Sequence, residues 1–370
     1  MPAIYKTKEE VLEKAKTILS KSLRKVISNE TVNTIEEQLK GYELRRKGFL
    51  GNLVEKYFFE INPGNVSGPD FMGAGVELKV TPLKKIRGDK LTSKERLVFG
   101  MINYATIVDE NWKQSTFLKK NKLLLLMFYL WMGDINILDY EFEFVYLLNL
   151  LEDISSEDAF QIQKDWEYIV SKVKCGEAHL LSEGDTYYLG ACTKAANSQI
   201  SRDQPMNRIP AKPRAFAFKQ QYMNYLIQTK LLGKKTNTDS IFKKERRIKT
   251  VEEAIKERVS PYIGKTDKEI LLRLNSSLGT KAKNYKRLIV NKILGVNSNK
   301  IEELEKANII LRVITLEPTG KLKESISFPA FDYRDLVTQI WESEADETMA
   351  DFHLQLETNK FLLVVFQKIA

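Results

Sequence analysis

The sequence predicts an α/β fold: a central sheet covered by helices, then a second, incomplete pass through the same frame. Apolar residues recur at helical period through much of residues 7–60. Strand-like runs rich in branched and aromatic residues follow, and one of them, "KLLLLMFYLW", has no polar alternation, as expected of a central strand covered on both faces. Five segments of the first 130 residues then return, in the same order, after residue 250.

Taken in order, "TKEEVLEKAKTIL" opens a helix with the capping-box spacing of Thr7 and Glu10. "KGFLGNLVEKYFFEI" places Phe49, Leu53 and Tyr57 on one helical face, and "INPGNVSGP" breaks that helix. "GVELKVTPL" and "KLLLLMFYLW" are the strands that follow. "SSEDAFQIQKDWEYIVSKVK" (155–174) is an amphipathic helix, and "SEGDTYYLGACTKAANSQ" predicts a hairpin ending in a loop. "KPRAFAFKQQYMNYLIQTKLL" closes a first domain, 1–232. Residues 233–249, polar and basic, predict a linker, and 250–370 a second domain.

Composition narrows the chemistry. Among 370 residues, 58 Lys and Arg against 49 Asp and Glu give a net charge of +9, a balance that favours polyanionic partners such as nucleic acid. The first residues contain no apolar core of signal-peptide length, so a cytoplasmic location is expected. The longest apolar run, 123–132, is too short to span a bilayer, and no membrane partner is expected. Two cysteines, Cys175 and Cys192, suit a reducing compartment and exclude a multi-cysteine zinc site. Two histidines, His179 and His353, exclude a histidine-rich metal cluster. Any catalysis therefore falls mainly to carboxylates and lysines.

The repeat shows where such groups are kept. "TVEEAIKERVSPYI" (250–263) echoes "TKEEVLEKAKTIL", and "KNYKRLIVNKIL" (283–294) aligns with "KGFLGNLVEKYF" (47–58). "IILRVITL" (309–316) matches "VELKVTPL" (76–83), "KESISFPAFDY" (323–333) matches "KERLVFGMINY" (94–104), and "NKFLLVVF" (359–366) matches "NKLLLLMF" (121–128). Across these matches Glu55 becomes Asn291, Glu77 becomes Ile310 and Lys79 becomes Arg312, while Asp70 falls near Glu303. The second copy keeps the apolar frame and loses most of the charged set, as expected if those charges serve chemistry rather than folding.

In "GPDFMGAGVELKV" (68–80), strand alternation turns Glu77 and Lys79 to one face and Val76, Leu78 and Val80 to the other. Asp70, after a glycine-rich turn, is able to return beside Glu77. Two carboxylates that close repel unless a cation lies between them, and hard oxygen donors suit Mg²⁺. By spacing alone the same residues also suit an edge strand with a solvated polar face. Pro69, Asp70, Glu77 and Lys79 together spell the PD-(D/E)xK nuclease signature.

The stretch from Lys47 to Lys79 resembles the MutH family, which joins a mismatch-repair nicking endonuclease to the Sau-type type II restriction endonucleases. The resemblance continues through "KDWEYIVSKVKCGEAHLLSEG", "CTKAAN" and "KPRAFAFKQQYM". It implies a restriction-endonuclease-like mixed central sheet flanked by helices, followed by a partial degenerate repeat, as in Sau-type enzymes. It implies catalytic Asp70, Glu77 and Lys79, with Asp70 and Glu77 as ligands of a magnesium ion and Glu55 supporting the site. A further lysine falls on Lys120, with Lys119 one residue away as the alternative. Lys194 of the "KAAN" loop is implied to read bases, and Lys47, Arg214 and Lys219 to contact DNA phosphates. The implied activity is Mg²⁺-dependent cleavage of double-stranded DNA at GATC, with a dimer on DNA as an arrangement it allows. Nicking in mismatch repair and a catalytically silent DNA-binding protein are the alternatives. The second copy shows no counterpart of residues 133–232, so it is expected to lack a reading loop of its own and to contact the linker or the first copy, with weak DNA contact as the alternative.

Overall fold

In a computed structural model, the described residues are 4–39, 48–62, 68–86, 88–133, 135–195, 199–243, 247–279, 282, 284–341 and 350–369. The chain divides into two compact units, one of residues 1–159 and 215–235, the other of residues 160–214 and 236–370.

In the first unit, the helix Lys8–Lys16 is capped as its sequence predicts: Thr7 Oγ1 accepts from the Glu10 N–H, and Glu10 returns a carboxylate to the Thr7 N–H. Val11 and Ala15 are its buried residues. The helix Phe49–Leu53 starts after Gly48, whose φ of +85° favours glycine, and continues into a π-helical turn, Val54–Phe58. Four strands form the main sheet: β1 (Glu77–Ile86), β2 (Lys90–Ser93), β4 (Leu123–Leu130) and β5 (Phe142–Asn149), in the order β2-β1-β4-β5. β3 (Leu97–Met101) lies outside it and pairs antiparallel with residues 215–218.

β1 and β4 run parallel, with Glu77 opposite Leu124, and the outer pairings are antiparallel, so the sheet is mixed as expected. Leu124 through Phe128 are each at most 1% exposed, which is what an unbroken apolar run at a central position requires. The core against this sheet includes Phe58, Phe59 and Phe71, and Phe59 meets Phe71 edge-to-face at 4.9 Å between ring centres.

The second unit takes in most of the helix Ser156–Lys174 and then β6 (Leu189–Thr193). The predicted hairpin lies later than expected, between Arg202–Gln204 and Asn207–Ala211. The stretch before β6 is instead held by Asp165, which takes the peptide N–H groups of Tyr187, Tyr188 and Leu189 that a hairpin would use.

The element order of the first unit then recurs. The helix Val251–Val259 opens on a capping box like that of the first helix, Thr250 with Glu253; the helix Tyr285–Ile293 comes later; the strands Ile309–Leu316 and Lys360–Gln367 pair in parallel. Ile310 lies opposite Phe361, one residue out of step with Glu77 opposite Leu124, since the sequence match pairs Leu124 with Leu362. Part of the stretch read as a linker is bound into this unit. Ile241 is fully buried, and Asp239 accepts from the N–H groups of Asn297 and Ser298 and from Lys243, bonds that lower its carboxyl to about 2. Among the described residues, no helix is long and apolar enough to cross a membrane.

Candidate active site

Glu77 opens β1, and the turn before it brings Asp70 back. The Phe71 N–H bonds to the Val76 carbonyl at 2.9 Å and the Val76 N–H returns to Phe71 at 3.3 Å, with Phe71 buried as the anchor. Gly75 turns the chain at φ +66°, and a Cβ on Gly73 would stand 2.6 Å from the Tyr5 carbonyl, so this tight return needs glycine at both positions. Asp70 Oδ2 then accepts the Leu78 N–H at 2.9 Å, while the Asp70 N–H donates to Glu77 Oε2 at 3.2 Å. The return predicted from the sequence is therefore closed by reciprocal bonds between the two acidic residues' segments.

Around this pair stand two lysines. Lys79 Nζ donates to Glu77 Oε1 at 2.7 Å and to the Phe99 carbonyl on β3 at 3.2 Å. Lys120, on the helix Thr116–Asn121, places its Nζ 3.6 Å from the same Glu77 oxygen. Glu77 is 2% exposed, so solvation does little for its charge and the ammonium groups do more. Burial pushes the Glu77 carboxyl above the usual range, Lys79 pulls it back, and Asp70 pushes it up again.

Glu55, on the π-helical turn, completes the cluster. Burial and then the charges of Asp70 and Glu77 raise its carboxyl to about 7, against the opposing pull of Lys79 and Lys120. A buried carboxyl that titrates near neutrality beside two like charges sits in a setting where a bound cation would favour the ionised form. Among the described residues, no group of three or more His, Cys, Asp or Glu forms a ready-made metal cage. Mg²⁺ needs none: it is typically held by one or two carboxylates, its remaining positions taken by water and phosphate oxygens. The Asp70 and Glu77 pair has the donor chemistry for that ion, and Glu55 stands near enough to sense both charges.

All five residues expected to be catalytic are thus brought together. The expected DNA contacts are not alike. Lys194 is exposed just past the end of β6, its own N–H bonded to the Pro213 carbonyl at 2.9 Å. Lys47 lies outside the described residues. Arg214 is 7% exposed and gives Nη1 to the Ala191 carbonyl at 2.6 Å; Lys219 is 3% exposed at the start of the helix Gln220–Leu226. Neither presents its charge at the surface: Arg214 opens the strand 214–218, which is buried along its whole length, and Lys219 follows it directly.

Sequence reasoning missed the Phe99 carbonyl, since a backbone acceptor leaves no trace in residue identity. It also missed Asp165, although a signal existed: Asp165 falls on the buried helical face of Ile162, Trp166 and Ile169, where an acid needs dedicated partners.

Two carboxylates at the head of a strand, a lysine two residues on and a glutamate from the preceding helix, set on a mixed sheet, have the layout expected of a PD-(D/E)xK nuclease centre. The family model described as "DNA mismatch repair enzyme MutH" matches residues 59–165, a span that contains Asp70, Glu77, Lys79 and Lys120 but not Glu55. The Type II restriction enzyme Sau3AI of Staphylococcus aureus is 32% identical over an alignment of 374 positions, covering 98% of this chain and 73% of the relative. The chain belongs to the MutH and Sau-type restriction endonuclease family.

Proposed function

We propose that this chain is a Mg²⁺-dependent type II restriction endonuclease that cuts both strands of duplex DNA at 5′-GATC. The observation that carries the reading is the convergence of Asp70, Glu77, Lys79, Lys120 and Glu55 at one end of β1. Asp70 and Glu77 would hold the ion, which when bound stabilises charge on the scissile phosphate and makes a water more acidic. The chain's own groups prepare the rest. Lys79 is fixed by Glu77 and the Phe99 carbonyl, and an ammonium has three donors, so one N–H direction remains for the attacking water or a phosphate oxygen. Lys120 adds positive charge where the pentavalent phosphorus would gather negative charge. Water attacks in line, the 3′ oxygen leaves, and 5′ phosphate ends result, so hydrolysis needs no histidine.

Specificity for GATC comes from the family resemblance and from Lys194, which is exposed and able to donate to guanine O6 and N7, the acceptors that mark a G·C pair in the major groove. The boundaries 1–232 for a catalytic domain and 250–370 for a degenerate copy are part of the same reading, supported by the repeated capping box and repeated parallel strand pair. A cytoplasmic site of action suits an enzyme whose substrate is DNA. The test is digestion of a supercoiled plasmid with Mg²⁺ followed by end sequencing. Linear fragments with four-base 5′ overhangs beginning at GATC are expected. Open circles would favour a nicking enzyme, and intact plasmid despite normal binding would leave a silent DNA-binding protein.

A further inference from the structure

Outside the acidic cluster, the most heavily committed buried charge of the second unit is Asp165, 2% exposed on the helix Ser156–Lys174. Its Oδ1 accepts from the Tyr187 N–H at 3.0 Å and the Gln161 side-chain amide at 2.9 Å; its Oδ2 accepts from the N–H groups of Tyr188 at 2.6 Å and Leu189 at 2.9 Å. Three consecutive peptide N–H groups aimed at one carboxylate fix the backbone of 187–189, and Leu189 is the first residue of β6.

The same strand is tied again further on. Arg214 Nη1 holds the Ala191 carbonyl, and the Lys194 N–H reaches the Pro213 carbonyl. From Tyr187 to Lys194 the path of the chain is thereby set at its start, middle and end, and the side chain delivered at the far end is the exposed Lys194. The anchor also reaches the second copy: Gln161 Oε1 accepts the N–H of Val251, the first residue of the helix Val251–Val259, and the Tyr187 hydroxyl donates to Glu252 on that helix.

We propose that Asp165 and Arg214 are positioning residues for base recognition, holding β6 in the register that sets Lys194 against the bases. The inference rests on the reading of Lys194 given above. It also gives Arg214 a role as a buried strand anchor, in place of the phosphate contact expected from its charge. A bidentate base contact tolerates little displacement, so a loosened strand loses discrimination before it loses general affinity for DNA.

Asp165→Asn keeps the shape but replaces one acceptor with a donor, leaving at least one of the three peptide N–H groups without its partner. The readout is the ratio of affinities for a GATC duplex and a scrambled duplex, in the full chain, with Ca²⁺ in place of Mg²⁺ to prevent cutting. Expected is a fall of roughly tenfold or more in that ratio, with scrambled-duplex affinity within about twofold of the parent. Lys194→Ala should lower the ratio similarly, and the double variant no further, because the anchor acts through Lys194. An unchanged ratio in Asp165→Asn, or losses that multiply in the double variant, would overturn the proposal and leave Asp165 a scaffold residue. A ratio unchanged by Lys194→Ala alone would overturn the base-reading assignment itself, and this inference with it. Should Asp165→Asn fail to fold, Arg214→Lys, which disturbs only the Ala191 end, enters the same cycle with the same expectations.

Discussion

Among the described residues, two parallel strand pairs stand out, β1 with β4 and Ile309–Leu316 with Lys360–Gln367, and they put the same frame to different use. At the head of β1 the charges of Glu55, Asp70, Glu77, Lys79 and Lys120 crowd together, and one carboxyl is driven to about 7. In the C-terminal pair the corresponding positions are settled locally. Ile310 is apolar, Asn291 gives its amide to Asn299 at 2.7 Å, Arg312 reaches the Ser327 carbonyl at 3.5 Å, and Glu303 is taken up by Ser240 and the Ile241 N–H. A crowded set of acids that repel one another costs folding free energy, and the second copy, relieved of it, keeps its strands and helices. The charges at β1 are therefore not what the frame needs to fold.

The largest effect expected from this contrast is at Glu77. Glu77→Ala should lower Mg²⁺-dependent plasmid cleavage by about a thousandfold or more while leaving DNA binding intact, measured by single-turnover digestion beside a mobility-shift titration. Ile310→Ala, the matching change in the second copy, should leave the rate per folded molecule unchanged, and a comparable loss there would break the comparison. Next is Lys120: its replacement by Ala should slow cleavage by about ten- to a hundredfold, whereas Lys119→Ala should act only weakly. The reverse order would move the assignment by one residue.

A smaller effect is expected on stability. Glu303 is buried and bonded to Ser240 and Ile241, so Glu303→Ala should destabilise by about 1–3 kcal/mol in urea unfolding yet spare the cleavage rate of the folded fraction. Glu55 should behave in the opposite sense. Its folded carboxyl titrates near 7 and its unfolded one near 4.5, so the folded state is penalised as pH rises between those values. Glu55→Gln should therefore raise stability at pH 8 by about 1–2 kcal/mol, a figure reduced for solvent screening, and change little at pH 4. Thermal melts at both pH values, without divalent ions, check this; equal gains at both would show that charge is not the cause.

Much of this was legible in the sequence, and the reason differs from element to element. The unbroken run of β4 announced a buried central strand, the capping-box spacing of Thr7 and Glu10 announced a helix start, and the loss of Glu55, Glu77 and Lys79 from the repeat pointed to the face on which these charges cluster. Burial of basic residues was not legible. Arg214 and Lys219 look like surface charges until the strand that Arg214 opens and Lys219 follows is seen to be wholly interior. Residues 236–242 look like a polar connector, but Asp239 and Ser240 spend their polarity on hydrogen bonds into the second unit while Ile241 fills its core. Side-chain identity carries no record of which backbone groups will come to meet it.

The account turns on one copy holding an ion and the other not. Calorimetric titration of Mg²⁺ into the Lys79→Ala variant bound to an uncut GATC duplex measures this directly, with Glu77→Gln and Asn291→Ala each added to that background. One class of protein-dependent site per chain, lost with Glu77→Gln and unaffected by Asn291→Ala, is the predicted result. Ion binding that survives Glu77→Gln, or a second equivalent site that disappears with Asn291→Ala, would contradict it.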